Sequence, residues 1–550
     1  MERTGAELVL DSLENHGVDT IFGYPGGAVI PLYDALYDRV HKFNHYLTAH
    51  EQGAIHGADG YARSTGKVGV AFATSGPGAT NTITGIATAY MDSVPLVVFT
   101  GQVPSSLLGK DSFQEVDITG ITLPITKHNF LVQDIKHLQD TINKAFKIAK
   151  TGRPGPVLID IPKDIFNARY EQLKYQEDKS HTAKTIASKE TLLKVIELIN
   201  NSNRPVIYGG GGIVISDTSN ELRRLSKKSN IPVVNTLMGL GTIEREDELS
   251  LGMVGMHGSR EANFTVANSD LLIAIGARFS DRVIGDASNF ATKAKVIHID
   301  IDKTEINKNV DVDVSVLGDV KENLRLIIDG ISDNERKSWH DEIANWHYDN
   351  NRSEDTFSPK VILNTINEDF KDSVIVTDTG QHQMWSAQHW KFKEPRTFLT
   401  SGGLGTMGFG LGAAIGAKIG KVDNRVIHIT GDGSFRMNCN ELATVSKYNL
   451  PTITVVFNNG ALGMVRQWQK LFKDCRFSET ILSNDVDFVK LADAYGINGF
   501  RATNKKELKD ILKFAKVNNV PILIDCIIDE DENVYPMVPA GKAIDNLILG

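Results

Sequence analysis

The residues with the clearest capacity for chemistry lie between Arg425 and Phe472, where Gly431-Asp432-Gly433 and Asn458-Asn459 each follow a short apolar run. The first run is Arg425 to Thr430, and the second, rich in β-branched residues, is Pro451 to Phe457, so both read as strands. Between them Leu442, Val445 and Tyr448 fall at helical spacing, with the acid Glu441 at the head of the same row. Two parallel strands joined by a right-handed helical crossover deliver their following loops to the same carboxyl-end edge of a sheet. Asp432 and Asn459 therefore converge across the 27 positions (459 − 432) between them. A carboxylate beside an amide oxygen suits Mg²⁺, which completes its shell with carbonyl, water and phosphate oxygens. The glycines flanking Asp432 let backbone N–H groups approach a diphosphate closely. Either short motif alone reads as an ordinary turn. Together, at two strand ends joined by one helix, they read as a site for a metal-bound diphosphate.

The elements that must position this site repeat along the chain. In residues 1–165, Thr20 to Phe22, His45 to Thr48, Val68 to Thr74 and Pro95 to Thr100 give strand signals. They alternate with glycine turns and helical patterns, as in a doubly wound α/β domain. The turn Gly23-Tyr24-Pro25-Gly26-Gly27 precedes a helical face of Val29, Leu32, Tyr33 and Leu36, and Ser75 to Asn81 is a second glycine turn able to host an anion at a helix start. The polar stretch from Tyr170 to Glu190 reads as a linker. A second unit, 190–345, has strands at Pro205 to Tyr208, Ile231 to Asn235, Asp270 to Ile275 and Val296 to Asp300. Its Gly209 to Gly212 run lacks the GxGxxG fingerprint, so a hydride-transfer dinucleotide site has little support. A charged linker follows from about 330 to 357, then a third α/β unit, 358–530, opened by Ser358-Pro359, and a tail, 531–550. The expected fold class is α/β, with three doubly wound parallel-sheet domains.

Composition sets outer limits. A chain of 550 residues, 41% hydrophobic and 23% charged, can bury several cores. A formal charge of −9 without a basic block argues against nucleic acid or a membrane as partner. Cys439, Cys475 and Cys526 form no CxxC pair, which points to a reducing compartment. Residues 1–19 read as an amphipathic helix with acids throughout, unlike a targeting peptide, and no apolar run reaches membrane-spanning length. The expected location is cytoplasmic.

Glycine-Asp-glycine followed by Asn-Asn at this spacing resembles the motif of thiamine diphosphate (ThDP) enzymes. The stretches FGYPGGAVIPLYDAL, AHEQGAIHGADGYAR, SGPGATN, FQEVDI, RPGPVLIDIPKD, GARFSDR, GMVRQWQ and NVYPMVPAGKA, from Phe22 to Ala543, resemble one family among them, the catalytic large subunit of acetohydroxyacid (acetolactate) synthase. That resemblance implies the ThDP-enzyme architecture: a pyrimidine-binding domain (1–165), a central FAD-type domain (190–345) and a diphosphate-binding domain (358–530). It implies decarboxylation of pyruvate on ThDP and condensation of the hydroxyethyl carbanion with pyruvate or 2-ketobutyrate. The products would be 2-acetolactate or 2-aceto-2-hydroxybutyrate, on the route to the branched-chain amino acids. Two other readings are a catabolic, FAD-free acetolactate synthase and a catalytically silent scaffold subunit of the same fold. Intact Glu51, Asp432 and Asn459 weigh against the silent one.

Residue by residue, the resemblance places Glu51 against the aminopyrimidine ring of ThDP. There a carboxyl group favours the imino tautomer that removes the thiazolium C2 proton. A Glu opening a helix is otherwise explained by the helix dipole. Gln114 and Lys163 match positions near the reaction centre, and Ala28, Phe113, Met464 and Trp468 match the substrate channel. Cofactor contacts would come from Gly27, Gln381, His382, Gly405, Met407, Gly431, Asp432, Gly433, Ser434, Asn459 and Met464. The metal would be held by Asp432, Asn459 and the backbone carbonyl of Ala461. A structural FAD would touch Arg153, Met256, His257, Gly258, Gly276, Arg278, Asp300 and Asp319. The family also implies a homodimer or tetramer, in which Glu51 and the Asp432 loop serving one cofactor come from different subunits, and a small regulatory subunit as partner. Three residues depart from the family pattern: Gly412 stands where proline is usual, Lys110 where threonine is usual, and Ala461 where a more polar residue is usual.

Overall fold

The computed structural model describes residues 2–171, 185–348, 356–482 and 486–550. Three six-stranded sheets organise them, and every pairing within those sheets is parallel. The first is built from Thr20–Gly23, Asn44–Leu47, Gly69–Ala73, Leu96–Gln102, His128–Leu131 and Val157–Pro162. Numbered by chain order, these lie 2-1-3-4-6-5 across the sheet. The third sheet, from Val374–Thr377, Phe398–Thr400, Val426–Gly431, Thr452–Asn458, Asn498–Ala502 and Ile522–Ile527, has the same order. Its central strands bury Ile427, Ile429, Ile453, Val455 and Val456, because helices cover both faces of a parallel sheet and no side of the strand meets water.

The middle sheet differs. Pro205–Gly209, Val233–Asn235, Ser250–Met253, Leu271–Ile275, Lys295–Asp300 and Val314–Leu317 lie in the order 3-2-1-4-5-6, the doubly wound order of dinucleotide-binding folds. The short edge strands Ser250–Met253 and Val314–Leu317 were invisible to apolar periodicity, since each is only four residues long. At the point where the order reverses, Gly210 and Gly212 press on Gly276, and a side chain at Gly210 would overlap the Gly276 carbonyl oxygen. The glycine run thus serves close backbone packing, the role expected of a tight turn.

The first and third domains meet through two glycine-lined helices, Glu51–Thr65 and Gly410–Gly420. Side chains on Gly60 or Gly416 would overlap the carbonyl oxygens of Ala413 and Gly57. At Gly412 a Cβ would stand 2.8 Å from that of buried His56, so the glycine lets the two helices approach closely here. Buried Arg63 pairs with Asp59 and Asp92 and donates to the Thr400 carbonyl at 2.9 Å. Asp92 in turn accepts from the N–H groups of Gly402 and Gly403. An acid of the first domain therefore fixes the glycine-rich loop of the third.

Two expectations change in detail. The stretch from 330 to 357 is not simply a charged linker, because Lys337–Ala344 is a helix that buries Trp339 and Ile343, four residues apart on one face. The Trp339 indole donates to the Pro205 carbonyl at 3.1 Å, tying the helix to the middle sheet. Residues 349–355 of that stretch, and 172–184 of the Tyr170–Glu190 linker, lie outside the described residues. The tail after residue 530 packs inward: Val534 exchanges hydrogen bonds with Gln467, Val538 N–H donates to the Met256 carbonyl, and Asn263 holds the Ile544 carbonyl. It thereby ties the third domain to the middle one.

Candidate active site

In the third domain the strand order reverses between Val374–Thr377 and Val426–Gly431, and ligands of such folds bind outside the carboxyl ends at that crevice. Gly380, Gln381 and His382 follow the first strand, and Gly431 to Ser434 follow the second. The strand at Val426–Gly431 passes directly into a helix, Asp432–Asn438, with Gly431 as its N-cap. The GDG segment is a helix start and not a free turn. The crossover then kinks through a 3₁₀ turn, Cys439–Glu441, before Leu442–Lys447.

Asp432 is 1% exposed, and its Oδ2 is buried without a hydrogen-bond partner. Burial pushes its pKa up to about 6, opposed by the N–H groups of Gly433 and Gly460 and by the charge of Arg436. The Gly460 contact places the two strand-end loops against each other. Asn459 Oδ1 accepts from Ala461 N–H at 3.2 Å, and its Nδ2 points to Gln381 Oε1 at 3.4 Å. His382 packs against Gly380 and Gly431, where no side chain would fit beside it, and its Nε2 is also buried and unpartnered. Burial lowers its pKa to about 4, so the ring is neutral and able to donate one hydrogen bond. Thr379 Oγ1 is a third unpartnered buried atom, and Ser434 Oγ donates to the Thr379 carbonyl. Gly405, with φ 71°, lies near Thr379, and Met407 reaches toward Gly433. Donors, a carboxylate oxygen and glycine clearances thus gather around one crevice. Among the described residues no group of three His, Cys, Asp or Glu side chains could hold a metal, so a cation here needs oxygens from amide, backbone and phosphate.

The helix Gly463–Phe472 leaves this crevice with Arg466 and Gln467 as its buried residues. Met464 and Trp468 are half-buried; Met464 touches the third-domain core, and the Trp468 Nε1 atom is buried without a partner.

The first-domain crevice lies between Thr20–Gly23 and Gly69–Ala73. Glu51 opens the helix that follows the edge strand Asn44–Leu47, and its Oε2 accepts from Asn81 Nδ2 at 3.0 Å. Gly78 clears space beside Oε1. Gly27 has open space where a Cβ would be, and Ala28 N–H donates to Thr74 Oγ1 at 3.3 Å. Gln114 holds a left-handed φ of 59° and packs its backbone on Gly76, whose φ is 57°. Phe113 is 89% exposed, and Lys163 begins the helix Lys163–Asn167. Exposed Lys110 lies in the loop that Glu115 holds through Gly109 and Ser112.

In the middle domain, His257 is buried, its Nδ1 unpartnered and its pKa lowered to about 4 by burial. It sits between Met256 and Gly258, whose N–H groups donate to the Arg282 and Gly255 carbonyls. Asp300 ends its strand with a pKa pushed up to about 6 by burial. Arg278 donates to the Met91 carbonyl and Gly276 has φ 55°. Arg153 already pairs with Glu305 at 2.7 Å, and Asp319 caps the helix Val320–Gly330.

Three polar residues at these crevices escaped the sequence reading. Asp378 is buried at a strand end and accepts from Gly410 N–H, His428 Nε2 and Thr430 Oγ1. The strand-end rule that selected Asp432 also applies to it. Gln467 bonds Gln381 and both backbone atoms of Val534, and sits inside the quoted GMVRQWQ motif. Glu441 looked like an acid out of place on an apolar row, and it is fully buried.

Residues 3–121, 192–327 and 378–526 match, in turn, the N-terminal TPP binding domain, the central domain and the C-terminal TPP binding domain of thiamine pyrophosphate enzymes. The repeated strand order and paired crevices are those of that class. The chain is 48% identical to the probable acetolactate synthase large subunit of Methanocaldococcus jannaschii, over 99% of this chain and 95% of the relative. It is 45% identical to the acetolactate synthase large subunit of Pyropia yezoensis (100% and 95% covered) and 43% identical to that of Haemophilus influenzae (99% and 98%). The chain belongs to the acetolactate synthase large-subunit family of thiamine pyrophosphate enzymes.

Proposed function

We propose that the chain is a catalytic subunit that decarboxylates pyruvate and joins the two-carbon unit to a second 2-ketoacid. With pyruvate or 2-ketobutyrate as acceptor it yields 2-acetolactate or 2-aceto-2-hydroxybutyrate, precursors of the branched-chain amino acids. The relatives' names support the first product. The observation that carries the site reading is the buried, unpartnered Asp432 Oδ2 beside Asn459, His382 and Thr379. A buried carboxylate oxygen without a donor is costly, and a cation at that spot satisfies it.

In this reading Asp432, the Asn459 side chain and the Ala461 carbonyl would hold Mg²⁺ together with oxygens of the cofactor's diphosphate. Gln381, His382, Ser434 and the glycine N–H groups at 431 and 433 supply further diphosphate contacts. ThDP supplies, when bound, a carbon nucleophile and a sink for the electron pair released by decarboxylation. Glu51 would donate to the far ring nitrogen of the aminopyrimidine and so favour the imino tautomer. Gly27, Ala28, Phe113, Gln114, Lys163, Met464 and Trp468 bound the channel through which ketoacids arrive. FAD would be architectural, since the reaction transfers no net electrons. His257, whose buried Nδ1 has no partner, supports it best; Gly276, Arg278, Asp300, Arg153 and Asp319 complete the set. The homodimer, and a small subunit implied by the relatives' designation as large subunits, belong to the same proposal.

Purified protein given pyruvate, ThDP and Mg²⁺ should release acetolactate, lose that activity on chelation, and show flavin absorption. Pyruvate turnover without acetolactate overturns the carboligase reading. Full activity without flavin leaves the FAD-free form of the enzyme as the correct one.

A further inference from the structure

The segment that delivers Glu51 is held from outside its own domain. Glu51 follows the short edge strand Asn44–Leu47, and an edge strand has one row of backbone groups with no neighbour. The N–H groups of Leu47, Ala49 and His50 turn instead to the third domain. Leu47 N–H donates to Tyr448 Oη at 2.8 Å. Ala49 N–H reaches both Glu441 oxygens at 3.2 Å, and His50 N–H donates to Glu441 Oε1 at 3.0 Å. Thr444 Oγ1 donates to Oε2 at 2.6 Å, which fixes the carboxylate from its own side. Gly53, on the helix that Glu51 opens, leaves the space the carboxylate occupies: any side chain there would overlap Glu441 Oε1. Glu441 is itself fully buried; burial raises its pKa, and the hydrogen bonds from Thr444, Ala49 and His50 oppose that rise.

We infer that Glu441 is a positioning residue for Glu51: it clamps the backbone N–H groups of the two residues before Glu51, Ala49 and His50, and thereby fixes where that carboxylate meets the cofactor ring. The inference rests on the role proposed above for Glu51. Its physical content is that a group one or two residues from a charge-bearing side chain has little slack. A misplacement of about 1 Å transmitted from outside the chemistry can cost on the order of 100-fold in rate. Glu441 also stands at the kink of the crossover that begins at Asp432, after Asp432–Asn438 and at the end of the 3₁₀ turn Cys439–Glu441. A shift of the metal-side helix is therefore felt at the start of the Glu51 helix in the same chain.

The test is the rate of hydrogen–deuterium exchange at C2 of bound ThDP, followed by NMR in full-length protein with Mg²⁺ and without ketoacid, per mole of bound cofactor. Three variants decide it. Glu51→Gln should slow exchange strongly; if it does not, the reading of Glu51 itself fails. Glu441→Ala should slow it on the order of 100-fold with a smaller change in ThDP affinity, because the diphosphate contacts lie elsewhere. Glu441→Gln keeps a carbonyl oxygen for Ala49 and His50 and an NH₂ for Thr444, so it should stay close to wild type. If Glu441→Ala does not fold, Glu441→Asp, one methylene short of the two N–H groups, carries the same comparison. Slow exchange in Glu51→Gln with wild-type exchange in the shortened Glu441 variant overturns the inference, since a residue needed only for stability would leave the folded, cofactor-bound fraction unaffected.

Discussion

Gly416 runs so close to Gly57 that any side chain on it would overlap the Gly57 carbonyl oxygen. The obstacle is backbone, which cannot rotate away as a side-chain tip can. This contact sets the separation of the helices carrying the first and third domains against each other. Gly416→Ala should therefore lose stability by about 1–3 kcal/mol or more, the range for overpacked cores. Urea or thermal unfolding would read it, and an unchanged midpoint would mean that the interface tolerates a wider spacing.

That helix pair also illustrates what the sequence could reveal. Apolar runs ending in glycine marked most central strands, because strands buried on both faces carry no alternation to obscure them. Asp432 and Asn459 were legible for the same reason, as each ends such a run. The edge strands Ser250–Met253, Phe398–Thr400 and Asn498–Ala502 were not, being short or half-exposed. Nor was Trp339 legible as a packed residue, since its helix sits in a charged stretch. Partnerships such as Glu441 with Ala49, or Asp92 with Gly402, join positions more than 300 residues apart, and no local pattern encodes them.

Among the described residues the side-chain donor to Glu51 is Asn81, which reaches Oε2 and leaves Oε1 for a ligand. Glu51→Gln keeps size and polarity but removes the acid. We expect acetolactate formation to fall by at least about 100-fold, within the range for loss of a proton-transfer partner. ThDP affinity, measured by calorimetry, should change far less. Wild-type turnover in this variant would refute the tautomer role.

Asp432→Ala should fail for a different reason, through loss of metal-dependent cofactor binding. If one cofactor is shared between Glu51 of one subunit and Asp432 of another, mixing the two inactive variants should restore part of the activity as subunits exchange. Hybrid dimers would carry one intact site and one doubly damaged site. A fully active monomer in sedimentation and assay would exclude this arrangement.

Asp160 is buried at a strand end and accepts from Thr100 Oγ1 at 2.7 Å and Gln102 Nε2 at 2.9 Å. Burial pushes its pKa from 3.8 up to about 7. The folded state therefore binds this proton more tightly than the unfolded chain does. The associated stability is fully present below about pH 4 and is lost as pH rises toward about 7, at up to about 1.4 kcal/mol per pH unit. Asp160→Asn can offer its oxygen to Gln102 and its amide to Thr100 without ionising. The difference in urea midpoint between variant and wild type should thus move in the variant's favour from pH 5 to pH 8, and a pH-independent difference would show that Asp160 stays charged throughout.

We expect Trp468 to decide which ketoacid is accepted. It lies four residues after Met464, on the same face of the helix that leaves the Asn459 loop. The ordinary explanation of such a pair is core packing, yet the buried residues of this helix are Arg466 and Gln467, while Met464 and Trp468 are only half-buried. The indole ring meets Phe472 edge-on at 6.2 Å, and its Nε1 has no partner. A half-buried aromatic beside a metal crevice can contact the extra methyl end of 2-ketobutyrate, which exceeds pyruvate by one methylene. A hydrophobic contact of that size discriminates by about 1–3 kcal/mol, or roughly 10–200-fold. Trp468→Leu should then keep acetolactate formation from pyruvate alone but sharply lower the share of 2-aceto-2-hydroxybutyrate when both ketoacids compete. Product ratios by chromatography, with a melting curve alongside, check this. An unchanged ratio, or a protein that unfolds, would return Trp468 to a packing role, and the acceptor pocket would have to be sought on the Phe113–Gln114 side of the channel.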